Sequence, residues 1–164
     1  MLRDKNLIPL SHQHQHALAL CVRIERASPI SADDLEAWQA EIAQIFESEI
    51  HFHFAAEEEV VFPAAAKLHE LQALLAELIS EHRELRAAFH QAQARSMSPS
   101  EVSSLAQRLS MHIRKEERQL FEQMQQLLNR EELVIIGGRL DAALKNANQS
   151  CTLPSETTRL RSAR

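Results

Sequence analysis

Along most of this chain the apolar residues recur every three to four positions, the spacing that gathers them on one face of a helix. The first such stripe carries Leu10, Leu18 and Cys21 and runs to about Ala27. Ser11 is its expected N-cap, just after Pro9. Ser28-Pro29 stops it, because a residue before proline avoids the helical region. A second helix begins after Ser31, with Asp33 and Asp34 in its first turn, and carries Leu35, Trp38, Ile42, Ile45, Phe46 and Val60. Pro63 is expected to end or kink it just after Phe62. The third stripe is Leu71, Leu74, Leu75, Leu78, Leu85 and Phe89, fading at Ser96-Met97.

The fourth helix has the clearest start. Ser98-Pro99-Ser100-Glu101 is a capping box with proline at the first helical position, ahead of Val102, Leu105, Leu109, Leu120, Met124 and Leu127. Asn129 caps a shorter segment from Arg130 to about Asn146, weakened by Gly137-Gly138 at about 1 kcal/mol per glycine. From Gln149 onward Ser, Thr, Pro and Arg dominate. The pattern predicts an all-α fold: an antiparallel up-down four-helix bundle with a short additional C-terminal helix and a flexible tail. One domain is expected over 1–147, with 148–164 a disordered tail.

Composition sharpens this. Only 4% of the 164 residues are aromatic, there is no Tyr and there are two Gly, a balance that favours helix over sheet. The net charge is -5 with no basic stripe, so nucleic acid is not an expected partner. No run approaches the about 18 apolar residues of a membrane span. The first residues are polar and lead into no apolar stretch of signal length, so a cytoplasmic location is expected. Cys21 and Cys151, in a reducing compartment, are expected as free thiols, with Cys21 a small core residue.

Nine His change the reading most. His53 and Glu57 lie four apart, and His53 falls one heptad after Phe46 and one before Val60. His112 and Glu116 repeat that pair behind Leu105 and Leu109. His82 sits on the stripe of the third helix between Leu78 and Leu85, and His14 on that of the first between Leu10 and Leu18. Four His and two Glu therefore converge on the bundle interior. Burying them without partners would be costly, and a metal supplies the partner. Six ligands exceed one tetrahedral zinc site. Two ions fit the count: each takes two His, the two Glu bridge them, and room remains for a solvent bridge and an open position. Mixed nitrogen and oxygen ligation of that kind suits iron. The competing reading is a buried polar network without metal.

The remaining His look superficial. His12 and His16 point about 200° away from His14, and His51 likewise from His53; His69 and His90 fall off their stripe. His16, which shares a face with Leu20 and Ile24, is the one substitute for His14. Glu58, Glu59 and Glu117 read as solvated charges. Glu49, four before His53, is either an edge carboxylate reaching for water or an acceptor for a ligand N–H.

These residues resemble a known family. His14 within "LSHQHQHAL", His53 and Glu57 in "HFAAEEEVVFP", "EH" at Glu81-His82 and "HIRKEERQLF" from His112 together resemble the hemerythrin-like, or HHE cation-binding, domain over roughly residues 8 to 130. The resemblance implies a non-haem di-iron centre of two iron ions, oxo- or hydroxo-bridged, held by His14, His53, Glu57, His82, His112 and Glu116. It implies a small diatomic ligand, oxygen or nitric oxide, for binding or sensing. It also brings an alternative: a redox enzyme acting on oxygen, peroxide or nitric oxide, or an iron donor in iron–sulfur cluster repair. The oxygen carriers of the family pair a further His with the one on the third helix. Here the positions four away from His82 are Leu78 and Arg86, so the chain resembles a four-His variety and leans from stable oxygen carriage toward redox reactivity or sensing. The residues show no dedicated proton donor or substrate pocket that separates binding from catalysis.

Overall fold

The computed structural model describes residues 2–145. The expected tail, Cys151 and the end of the fifth helix lie outside the described residues. Among the described residues the fold is all-helical, with no strand. Helix α1 is Ile8–Ala27. Helix α2 runs unbroken over 32–65 through Ala32–Ile45, Phe46–Ile50, His51–Ala56, Glu57–Val61 and Phe62–Ala65. After a single turn at His69–Leu71 comes α3, Gln72–Gln93. Helix α4 spans 99–127 as Pro99–Lys115, Glu116–Leu120 and Phe121–Leu127, and α5 is Arg130–Ala143.

The helix starts follow the capping chemistry of the sequence in three cases. Ser31 accepts from the Asp34 N–H, and both Ser98 and Asn129 form full capping boxes, with Glu101 and Glu132 respectively. The first helix differs from expectation. It starts at Ile8, with Leu7 at the N-cap and Pro9 in the first turn, where a missing N–H costs nothing. Ser11 is thus inside the helix, and its hydroxyl donates to Glu117 instead of capping. Pro63 does not end α2 either, which continues to Ala65. The Glu59 carbonyl, which Pro63 cannot serve, accepts a 3.1 Å bond from Arg139 of α5.

Helix α1 packs chiefly on α4, and α2 on α3. Helix α5 crosses the outside of the bundle against residues 51–61 of α2. Gly137 of α5 allows close approach of the segment ahead of α1: a Cβ on it would fall 2.4 Å from the Asn6 side-chain oxygen. The buried apolar residues form two clusters. One includes Ile24, Trp38, Phe46, Phe89 and Val102. The other includes Leu10, Val60, Leu71, Leu78, Leu120 and Met124. Along every helix of the bundle the ligand-type residues fall at the join between the two clusters, so a polar layer is sandwiched between two apolar ends.

Candidate metal centre

Each bundle helix sends a His into that layer. His14 on α1, His53 on α2, His82 on α3 and His112 on α4 are all buried, and Glu57 and Glu116 are completely so. The four His turn their Nε2 atoms inward. His14 and His53 meet with Nε2 atoms 2.9 Å apart. His82 and His112 form a second pair, ring centres 4.8 Å apart.

The two carboxylates lie between the pairs. Glu57 turns Oε1 to His53 Nε2 at 3.2 Å and Oε2 to His82 Nε2 at 3.4 Å. Glu116 turns Oε2 to His14 Nε2 at 3.2 Å and Oε1 to His112 Nε2 at 3.3 Å. Two overlapping four-residue groups result: His14, His53, Glu57 and Glu116, and Glu57, His82, His112 and Glu116. Within each group the ligand-type atoms lie within 4.8 Å of one another.

Backbone geometry at both carboxylates departs from a regular α-helix. The Phe62 N–H bonds to the Glu57 carbonyl, and the Phe121 N–H to the Glu116 carbonyl, each five residues back. Such π-turns insert an extra residue and locally re-aim side chains. A third lies at Phe46–Ile50, with the His51 N–H on the Phe46 carbonyl.

The outer nitrogens of the four rings are also fixed. His14 Nδ1–H donates to Glu117 at 2.7 Å, His82 Nδ1–H to Glu58 at 2.8 Å, and His112 Nδ1–H to Glu81 at 2.8 Å. His53 Nδ1–H donates to the Gln13 side-chain oxygen at 2.9 Å. Each bond holds the tautomer that leaves Nε2 facing inward. The acceptors are held in turn: Glu117 by Arg3 and Ser11, Glu58 by both Arg86 nitrogens, Glu81 by Lys115. Phe54 stacks on His82 at 4.0 Å between ring centres, and Phe121 on His14 at 5.7 Å.

This corrects the sequence reading of Glu58 and Glu117, which are not solvated charges but the partners of ligand-type imidazoles. Glu59 is exposed, as are His12, His16, His51, His69 and His90. Glu49 is buried rather than reaching for water, and accepts from His16 at 3.1 Å. Cys21 is a buried core residue whose thiol is pushed up to about 12 by burial and Glu25. The missed partners had a visible signal: both inward pairs read His-x-x-x-Glu-Glu, and the last Glu of each is Glu58 or Glu117.

Without a cation the layer is electrostatically awkward. Burial disfavours charge on the His14 ring, yet Glu116 and Glu117 hold it up at about 9. His82 is likewise buried but held at about 9 by Glu116 and Glu57, and His112 at about 10 by Glu116 and Glu81. Burial and the Glu116 charge push Glu57 up, but His53 and His82 outweigh them and bring it to about 2. Glu116 moves well below the ordinary carboxylate range, chiefly because His112 outweighs its burial. Both oxygens of Glu57, both of Glu116, and the Nε2 atoms of His82 and His112 are nevertheless buried without a hydrogen-bond partner. Orphaned buried polar atoms cost about 1–3 kcal/mol each, and more when charged. A cation coordinated by them removes that cost, and an all-imidazole-and-carboxylate donor set suits a transition metal.

No curated protein and no solved structure gives a significant match to the chain. The hemerythrin HHE cation binding domain matches residues 9–124, from the start of α1 to Met124 in α4, and takes in all six inward His and Glu residues. The chain therefore belongs to the hemerythrin HHE cation-binding domain family, and it carries a buried His and Glu cluster suited to binding metal.

Proposed function

We propose that the cluster holds two iron ions, with His14 and His53 on one, His82 and His112 on the other, and Glu57 and Glu116 shared between them. The role we assign is binding or sensing oxygen or nitric oxide. One observation carries this reading: each carboxylate directs its two oxygens to different His pairs. A single ion would draw both oxygens of a carboxylate, or one, toward itself. Iron in such a centre supplies one-electron redox chemistry and open positions for a diatomic molecule. The chain's own part is to present neutral Nε2 atoms, supply two negative charges against the cations, and keep bulk water out with the apolar clusters at either end.

A narrow, partly open cleft reaches the layer between α1, α2 and α4, walled by Ala17, Ile50, Phe54, Leu109 and Ile113. Its apolar walls suit a small uncharged ligand. Glu49 also lines it and connects to His16, which is largely exposed. That link favours a second reading, a redox enzyme acting on oxygen, peroxide or nitric oxide that draws protons along this edge.

The test is to add oxygen, and separately nitric oxide, to iron-loaded protein reduced without air while following the visible spectrum. A band that appears and reverses on ligand removal supports binding. Continued consumption of oxygen or peroxide with an added electron donor supports the enzyme. No spectral change with either gas contradicts both.

A further inference from the structure

The centre obeys a local two-fold relation that exchanges α1 with α3 and α2 with α4. His14 then corresponds to His82, and the His53-Glu57-Glu58 set to His112-Glu116-Glu117. The distances agree under this exchange. His53 to Glu57 is 3.2 Å and His112 to Glu116 is 3.3 Å. His14 to Glu116 is 3.2 Å and His82 to Glu57 is 3.4 Å. The ring centres of the two pairs are 4.6 and 4.8 Å apart, both tilted by 58°. The outer bonds of His14 and His82, to Glu117 and Glu58, are 2.7 and 2.8 Å.

Among the acceptors of the four outer ring N–H groups, the relation fails at one pair of positions. Gln13 precedes His14, and Glu81 precedes His82. Each reaches the ring on the neighbouring helix: Gln13 takes the His53 Nδ1–H, and Glu81 takes that of His112. The cation differs with it. Glu81 is held by Lys115, three residues after His112, whereas the residue three after His53 is Ala56. One pair of rings thus has two carboxylate acceptors. The other has one carboxylate and one neutral amide.

A carboxylate acceptor makes an imidazole a stronger donor than an amide does, and partners of this kind change metal affinity by about 10–100-fold. The cleft adds a second difference, because its walls include His14, His53 and His112 but no residue of α3. We infer that Gln13 makes the two metal positions unequal: the His82–His112 position binds its ion first and tightly, and the His14–His53 position, beside the cleft, binds the second ion more weakly. Gln13 is a positioning residue acting through His53. The inference rests on the two-metal reading above.

The experiment is a titration of metal-free protein with cobalt(II), followed by its ligand-field absorption. Two steps are expected in the native chain, the second weaker by about tenfold or more. His53→Ala removes the weaker step and His82→Ala the tighter one. Gln13→Glu strengthens the second step and brings the two together. Glu81→Gln does so by weakening the first, and tests the idea even if Gln13→Glu folds poorly. The double swap, Gln13→Glu with Glu81→Gln, reverses which His variant loses the tighter step. Two equal steps in the native chain, or swaps that leave both constants unchanged, overturn the inference while the two-metal reading stands. Uptake of only one ion per chain, or none, overturns the two-metal reading, and this inference with it.

Discussion

Glu57 and Glu116 face each other across the middle of the bundle, and each divides its two carboxylate oxygens between the His14–His53 pair and the His82–His112 pair. They come from different helices, yet each opens a π-turn and each follows a ligand-type His by four residues. A carboxylate in the core with neither oxygen hydrogen-bonded is costly, and here there are two.

Variants of the proposed ligands should therefore sort by face. His53→Ala or His112→Ala is expected to lower bound metal by an order of magnitude or more, and His51→Ala or His69→Ala to leave it unchanged. On α1 the same holds for His14→Ala against His16→Ala, since His14 is buried and the His16 side chain is 58% exposed. Metal content per chain after dialysis checks this. Loss of metal in the His16 variant with retention in the His14 variant would mean that α1 is rotated.

Replacing a partner of the proposed ligands should act at one remove. Glu117→Ala takes away the acceptor of His14 Nδ1–H and the anchor of Arg3 and Ser11. Metal affinity is expected to fall by about 10–100-fold, with Glu59→Ala as the unaffected neighbour-type control. Competition with a chelator of known affinity measures the difference, and equal affinities in the two variants would contradict the role given to Glu117.

Of this centre, the six inward residues were legible in the sequence because a buried helical face repeats every three to four positions, and His and Glu stood out on it. Glu58 and Glu117 were not, because each lies one residue past a ligand-type Glu, about 100° around the helix, where a charge reads as solvated. The repeated Glu-Glu after His53 and His112 marks them as a pair, but each serves a ring on another helix, so the packing of α2 on α3 and of α1 on α4 is needed to show which ring it holds. The π-turns also left no trace, since the apolar stripe of α2 keeps Phe46, His53 and Val60 buried through them. At the ends of helices the capping residues Ser31, Ser98 and Asn129 were readable from local chemistry, whereas the start of α1 was set by Pro9 rather than by Ser11.

Stability should respond to pH in opposite ways with and without metal. In the metal-free protein His14, His82 and His112 are raised from 6.5 to about 9, 9 and 10. Their contribution is complete below about 6.5 and is lost as the pH rises through 9 to 10. Glu57 is lowered from 4.5 to about 2, so its contribution is present above 4.5 and is lost as the pH falls through 2. Metal instead binds neutral imidazole and gains as protons leave. The difference in Tm between metal-loaded and metal-free protein should widen from pH 6 to pH 9. A difference that stays constant over that range would count against ligation by these rings.

A helix cap far from the centre provides a contrast. Ser98→Ala removes the side-chain acceptor of the Glu101 N–H at the start of α4 and should cost about 1 kcal/mol. Chemical denaturation measures that loss, while metal content is expected to stay the same. A fall in bound metal would show that the start of α4 and the centre are coupled.

The most direct measurement is the amount of metal held by protein produced with ample iron and purified without added chelator. Close to two iron ions per chain are expected, falling to near one or below in Glu57→Ala and Glu116→Ala alike, because the proposed centre shares each carboxylate between both positions. A native value near zero, or a single ion that survives loss of either carboxylate, would contradict a shared two-metal centre.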